Sequence, residues 1–102
     1  MSYNISFTPS AFEDYTEILA WFDEKNLSSR LNFESLMKEK LTFISNYPEA
    51  SPEQYRSFRS LLIKKYQYRI YYQVEHRSLK IIVFAMIHTS RSDSFIKNRL
   101  NL

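Results

Sequence analysis

The 102-residue chain has no cysteine and no glycine. Without cysteine there are no disulfides, thiolate nucleophiles or cysteine metal sites, a composition that fits a reducing compartment. Without glycine there is no glycine-rich phosphate loop of either the P-loop or the dinucleotide-binding kind, so a nucleotide cofactor is a poor fit. Long apolar runs are missing too. The longest, Ile81 to Ile87, is far too short to cross a bilayer. The start, Met1-Ser2-Tyr3-Asn4, lacks the basic-then-apolar pattern of a signal peptide, and a cytoplasmic location is expected. Only two histidines are present. With no cysteine beside them and no carboxylate pair at a diagnostic spacing, neither a structural metal nor a cofactor is expected.

What is there is an ordinary globular balance, 44% apolar and 25% charged, enough for one domain over residues 1–102 and too little for two. The net charge of +3 conceals a segregation. Residues 1–54 carry four Lys/Arg and nine Asp/Glu, and residues 55–102 carry ten and two. The second half, at +8, is a concentrated positive source suited to an acidic partner or a nucleic acid.

Periodicity divides the chain in the same place. Tyr3, Ile5 and Phe7 alternate with polar residues as a short strand. Thr8-Pro9-Ser10 opens a helix, with Thr8 as cap and proline in the first turn, or with Ser10 and Glu13 as a capping box. Phe12, Tyr15, Leu19 and Phe22 form its apolar stripe, with Ala11 and Ile18 alongside, to about Lys25. A second helix is expected from about Ser29 to Ser45, with Phe33, Leu36, Leu41 and Ile44 as its stripe, stopping before Pro48. After a proline-containing loop the period becomes strand-like over Tyr55–Ile63, Tyr66–Glu75 and Leu79–His88, with a tight turn at His76-Arg77-Ser78. A short helix or turn fits Ser92–Asn101. The expected fold is therefore α+β: an N-terminal strand, then an antiparallel helical hairpin packed on one face of a small antiparallel sheet, then a short C-terminal helix. The opposite face is left for partners.

Strand parity selects the residues of that face. Tyr66, Tyr68, Ile70, Tyr72 and Val74 are assigned to the helices, which turns Arg69 and Tyr71 outward. On the last strand Ile81, Val83, Ala85 and Ile87 form the apolar set, which places Lys80, Ile82, Phe84, Met86 and His88 with Arg69. Arg91 follows the strand, and Arg56, Arg59, Lys64 and Lys65 flank the patch. Arginines and lysines interleaved with aromatics suit phosphate and stacked bases. Each has a plainer explanation as well: a snorkelling strand arginine, a satisfied strand-end histidine, or a solvated lysine turn. His76, in a turn, is read as simply exposed.

Tyr68-Arg69-Ile70-Tyr71-Tyr72-Gln73-Val74, the strand Ile81-Ile82-Val83-Phe84-Ala85-Met86-Ile87 ending in His88, and then Arg91 resemble the core of the RelE/ParE toxin superfamily of type II toxin–antitoxin operons. The front half fits as well, with Phe12, Tyr15, Ile18 and Phe22, then Phe33, Leu36 and Leu41, then Tyr47-Pro48 before Arg59. The resemblance implies a sheet carrying a helical hairpin, no cofactor, and a tightly bound antitoxin covering the basic face, for which Phe84 and Met86 would be apolar anchors. Arg56, Arg59, Lys65 and Tyr71 are further expected partner or nucleic-acid contacts. The superfamily divides by target. RelE-like members cut messenger RNA on the ribosome, and on that pattern Arg69, Arg91, Lys64 and His88 would act in 2′-hydroxyl attack on a phosphate. The tyrosine common in the last helix of RelE-like toxins is missing from Ser92-Asp93-Ser94-Phe95-Ile96-Lys97. ParE-like members poison DNA gyrase through protein contacts, and His88 followed by Arg91 looks closer to these. A ParE-like, growth-inhibiting toxin is the leading expectation, with plasmid stabilisation as the associated role. A ribosome-dependent ribonuclease is the alternative, and an inactive module acting with its antitoxin at the operator is a third reading. The expected assembly is a homodimer or a hetero-oligomer with the antitoxin.

Overall fold

The computed structural model describes residues 2–102. Its first helix begins as local chemistry dictates. The Thr8 hydroxyl accepts the N–H of Ala11 at 3.1 Å, and Pro9 sits in the first turn, where its missing N–H costs nothing. Helix α1 (Pro9–Lys25) ends at Asn26, whose backbone is extended. Asn26 then caps α2 (Leu27–Asn46) by accepting the Ser29 N–H at 2.8 Å. The second helix therefore starts two residues before the expected Ser29, because the asparagine rather than a serine is its cap. It stops at Tyr47, ahead of Pro48.

Five strands follow the chain order β1 (Asn4–Phe7), β2 (Glu53–Tyr55), β3 (Phe58–Ile63), β4 (Tyr68–Glu75) and β5 (Lys80–His88), and α3 (Asp93–Arg99) closes the fold. They form one sheet in the order β1-β5-β4-β3-β2. The three junctions among β2 to β5 are antiparallel, whereas β1 lies parallel to β5, with Ile5 opposite Ile81. The expected strand at 55–63 is divided by a turn at Arg56-Ser57, and the next begins at Tyr68 rather than Tyr66.

A chain without glycine must build its left-handed turns from other residues. Arg56, Gln67, Leu79 and Asn101 all have φ between 52° and 61°, where a Cβ atom crowds the following carbonyl. Arg56 is exposed, so Arg56→Gly removes this strain at little other cost. After the extra backbone entropy that glycine loses on folding, the expected net gain is about 0.5 kcal/mol, read as a higher urea midpoint at unchanged slope.

The helical hairpin covers one face of the sheet. Ile18 and Phe22 of α1 and Phe33, Met37 and Ile44 of α2 pack on Ile70, Tyr72, Ile81 and Val83. Phe22 and Phe33 stack at 4.9 Å, and both meet Tyr66 edge-on. The stripe of α1 is rotated from its expected line. Ala11, Ile18 and Phe22 are buried, while Phe12 is 58% exposed and Trp21 51% exposed.

The opposite face is not bare. Ile96 and Leu100, in and just after α3, pack there against Phe58, Tyr71, Ala85 and Ile87. The expectation of an uncovered second face is thus corrected. The short C-terminal helix is amphipathic enough to bury itself on the apolar residues that the sheet presents to it.

Candidate functional site

One extra residue in β5 decides which side chains can meet. Tyr71 lies opposite Ala85, yet Tyr72 lies opposite Val83, so Phe84 has no partner of its own. This is a β-bulge, and it reverses the in–out alternation of everything after it. Ile81 and Val83 face the helices, but Ala85 and Ile87 face away. Met86 joins the helix-side core, and His88 pairs with Tyr68, a helix-side residue. The expected single patch is corrected accordingly. Arg69, opposite Ile87, lies on the second face, and His88 on the other. Met86, expected as an exposed anchor, is 4% exposed. Phe84 stays on the second face, half-buried and perpendicular to Phe58 at 5.1 Å.

On the helix side, the middle of α1, the end of β5 and α3 enclose a cleft of about 270 Å³, lined among others by Asp14, Glu17, Trp21, His88, Arg91 and Arg99. His88 stands edge-on to Tyr68 at 5.1 Å. Its Nδ1 accepts the Ser90 N–H at 3.1 Å, so the neutral ring carries its proton on Nε2. Burial pushes the Tyr68 phenol above its ordinary pKa, and the nearby Arg91 charge opposes that rise. Arg91 lies over the Phe95 ring at 4.6 Å and has no carboxylate partner among the described residues. Lys25 lies 4.7 Å above the Trp21 ring. The cleft thus sets an unpaired guanidinium and an imidazole beside an exposed indole, an arrangement that can seat an acidic group next to an apolar one.

Asp14 organises this cleft. Beyond Val83, β5 has no neighbouring strand on its β1 side, because β1 turns away at Thr8, whose N–H bonds the Val83 carbonyl. Asp14 Oδ2 takes the place of that strand by accepting the Met86 N–H at 3.0 Å. The same carboxylate receives both arms of Arg99 at 3.0 and 2.7 Å. One side chain therefore ties α1, β5 and the C-terminal helix together. No sequence signal linked residues 14, 86 and 99, and Trp21 was hidden by its place off the core stripe.

The second face holds Arg69, whose guanidinium donates to the Ser60 hydroxyl at 3.0 Å. Ser60 is buried, as is Tyr71, whose phenol is pushed up by desolvation. Arg69→Ala removes one hydrogen bond from a half-buried side chain on the central strand, so a loss of about 1 kcal/mol with the fold intact is expected, read from urea unfolding. Tyr55 donates to the Asp93 carboxylate and pins α3 over this face. That bond raises the Tyr55 pKa to about 12 and, together with Lys97, lowers that of Asp93. Asp93, the depressed acid, supports this contact above the ordinary carboxylate range and loses it as pH falls through its lowered value. Tyr55, the raised phenol, supports it below its ordinary value and loses it as pH rises toward about 12. Amide exchange in α3, corrected for its intrinsic pH dependence, should therefore gain protection from acid to neutral pH.

The remaining expected contacts are scattered. Arg59 shares the helix side with Tyr72 and is spent on structure, donating to the Ser51 carbonyl at 2.7 Å and facing Glu49 at 3.4 Å. It is not part of a patch with Arg69. Arg56 is exposed in the β2–β3 turn, and Lys64 and Lys65 are exposed in the β3–β4 turn, with Lys65 above the Tyr66 ring at 5.5 Å. Among the described residues no cluster of histidine and carboxylate could hold a metal, and no helix is long and apolar enough to cross a membrane.

A strand, a helical hairpin and a mostly antiparallel sheet closed by a short helix make up the architecture of the RelE/ParE toxin superfamily. A family profile described as the ParE toxin of the type II toxin–antitoxin system parDE matches residues 5–93. The chain belongs to this family. Among solved structures, the isolated E. coli RelE toxin superposes with a TM-score of 0.62 at 18% identity, covering 98% of each chain. The E. coli RelBE toxin–antitoxin complex gives 0.63 at 18% identity, covering 88% of this chain and 100% of that one. The RelBE2 toxin–antitoxin complex of Mycobacterium tuberculosis gives 0.56 at 18% identity, covering 86% and 99%. No curated protein matches.

Proposed function

We propose that this type II toxin is ParE-like: it arrests growth by binding DNA gyrase through protein contacts, and a cognate antitoxin neutralises it. The observation that carries this reading is the separation of the cations. Cleavage of a phosphodiester by its own 2′-hydroxyl needs base, acid and phosphate-binding charge to converge on one phosphorus. Arg69 is tied to Ser60 on one face of the sheet, while His88 and Arg91 line a cleft on the other. A protein interface makes no such demand. An exposed tryptophan and an unpaired arginine at one cleft are the residue types that dominate binding energy.

The antitoxin reading rests on charge. The solved RelBE structures are toxin–antitoxin complexes, and the +8 half of this chain would accelerate encounter with an acidic partner. Raising the salt concentration should slow association much more than dissociation.

Messenger RNA cleavage is favoured by one feature only, the shared cleft of His88, Arg91 and Tyr68. Inducing the chain without an antitoxin separates the two targets. Trapped gyrase–DNA adducts with induction of the DNA-damage response are expected. Transcript ends clustered at codon positions, without adducts, would overturn the gyrase reading.

A further inference from the structure

We propose that β1 is a self-pairing edge, through which two copies of this chain join their sheets across a two-fold axis. The edge is open on one side. β1 ends the strand order, and its inward N–H groups alternate: Asn4 bonds Leu79 and Thr8 bonds Val83. The N–H and C=O groups of Ile5 and Phe7 therefore point away from the sheet. No hydrogen bond involving them on that outer side occurs among the described residues. Tyr3, the preceding outward residue, is already satisfied. Its N–H bonds the Ser45 carbonyl and its carbonyl accepts the Ser45 hydroxyl. The vacancy is two residues long.

Natural sheets guard such edges with charge, proline or bulges. This one has none of these guards. The first charged residue of the chain is Glu13, and the first proline is Pro9, beyond the strand. Beside the edge lies a groove of about 540 Å³ between β1 and α2, whose lining includes Ile5, Phe7, Tyr15 and Leu41.

A second β1 fits this vacancy group for group. In an antiparallel pair centred on Ser6, Ile5 faces Phe7 of the other copy and Phe7 faces its Ile5. Residues facing in this way exchange both N–H···O bonds, so all four free groups of each copy are used. Ile5 and Phe7 lie on the helix side, so the pair meets over the groove, while Ser6 lies against Ser6 on the exposed side. The charges flanking the groove favour a copy over an acidic partner. Glu34, already paired to Arg30 at 3.0 Å, stands beside Lys38 on α2, so the groove has no uniform charge to draw an acidic segment. The strongly positive half of the molecule lies elsewhere in the chain.

Ser6 is exposed, so its replacement leaves the fold unchanged and alters only what stands opposite it. The purified chain is expected to sediment at twice its own mass at about 100 μM, a concentration that populates an interface at the small end of the size range. Ser6→Lys and Ser6→Glu each set like charges opposite one another and should give monomers with an unaltered circular dichroism spectrum. Mixing the two variants should restore the dimer, which no loss of folding could imitate. A monomeric parent chain, single variants that stay dimeric, or a mixture that stays monomeric would each overturn the proposal. So would protection of the Ile5 and Phe7 amides that appears only when antitoxin is added, because the edge would then belong to the antitoxin.

Discussion

Asp14→Ala is expected to destabilise the protein by about 3 kcal/mol, the lower end of the range for removing one partner of a buried pair. Two groups lose their acceptor together: the Arg99 guanidinium and the Met86 N–H. The side chains of Arg99 and Asp14 are 24% and 15% exposed, so water compensates only in part. In a domain of this size that corresponds to a fall of about 15 °C in melting temperature. Asp14→Asn keeps an oxygen for Met86 but loses the charge, and should cost roughly half as much. A cycle with Arg99→Ala then isolates the ion pair, whose coupling should be at least about 1 kcal/mol. A melting temperature within 2–3 °C of the parent, on a scale where 1 kcal/mol is about 4–8 °C, would show that the tie contributes little.

The second large effect falls on activity rather than stability. Arg91→Ala and Trp21→Ala should each weaken target binding by about 2 kcal/mol, near 30-fold. Arg91 is exposed and contacts Phe95 through its guanidinium, so its removal should change stability by less than about 1 kcal/mol. Trp21 is half exposed and off the core stripe. If the target is gyrase as proposed, binding of the purified chain to gyrase and growth arrest should fall together, while the melting temperature barely moves. Arg91→Lys keeps the charge but not the planar fork, and should recover only part of the affinity. Full activity in both alanine variants would remove the cleft from the target interface.

The α1 tie bears directly on this cleft. Asp14 and Arg99 form its floor, and Arg91 and Phe95 stand at its rim on the segment that Arg99 anchors. A variant that frees α3 is therefore expected to lose activity as well as stability. Arg91→Ala should lose activity alone, so the two variants are distinguishable by their melting curves.

Much of the architecture was legible from local chemistry. Thr8, Pro9 and Pro48 set helix ends because capping and proline stops involve only a few neighbouring residues. Tyr68, Ile70, Tyr72 and Val74 declared their face by alternation alone, and they do face the helices. The site was less legible. Regular alternation of β5 through Phe84 predicts Met86 and His88 on the second face, and the bulge at Phe84 turns both to the helix side. A bulge costs one residue of register and leaves no mark in a run as uniformly apolar as Ile81–Ile87, because neither parity is polar enough to betray the slip.

The order of elements, the helical hairpin, the segregation of charge and the absence of any disulfide follow from the chain by itself, since each depends on composition or on residues a few positions apart. The parallel pairing of β1 with β5, the burial of the second face under Ile96 and Leu100, and the meeting of Asp14, Met86 and Arg99 were decided only in three dimensions. Those contacts join residues as many as 85 positions apart. Their partners are chosen by which backbone groups the sheet leaves unpaired, and no local pattern records that.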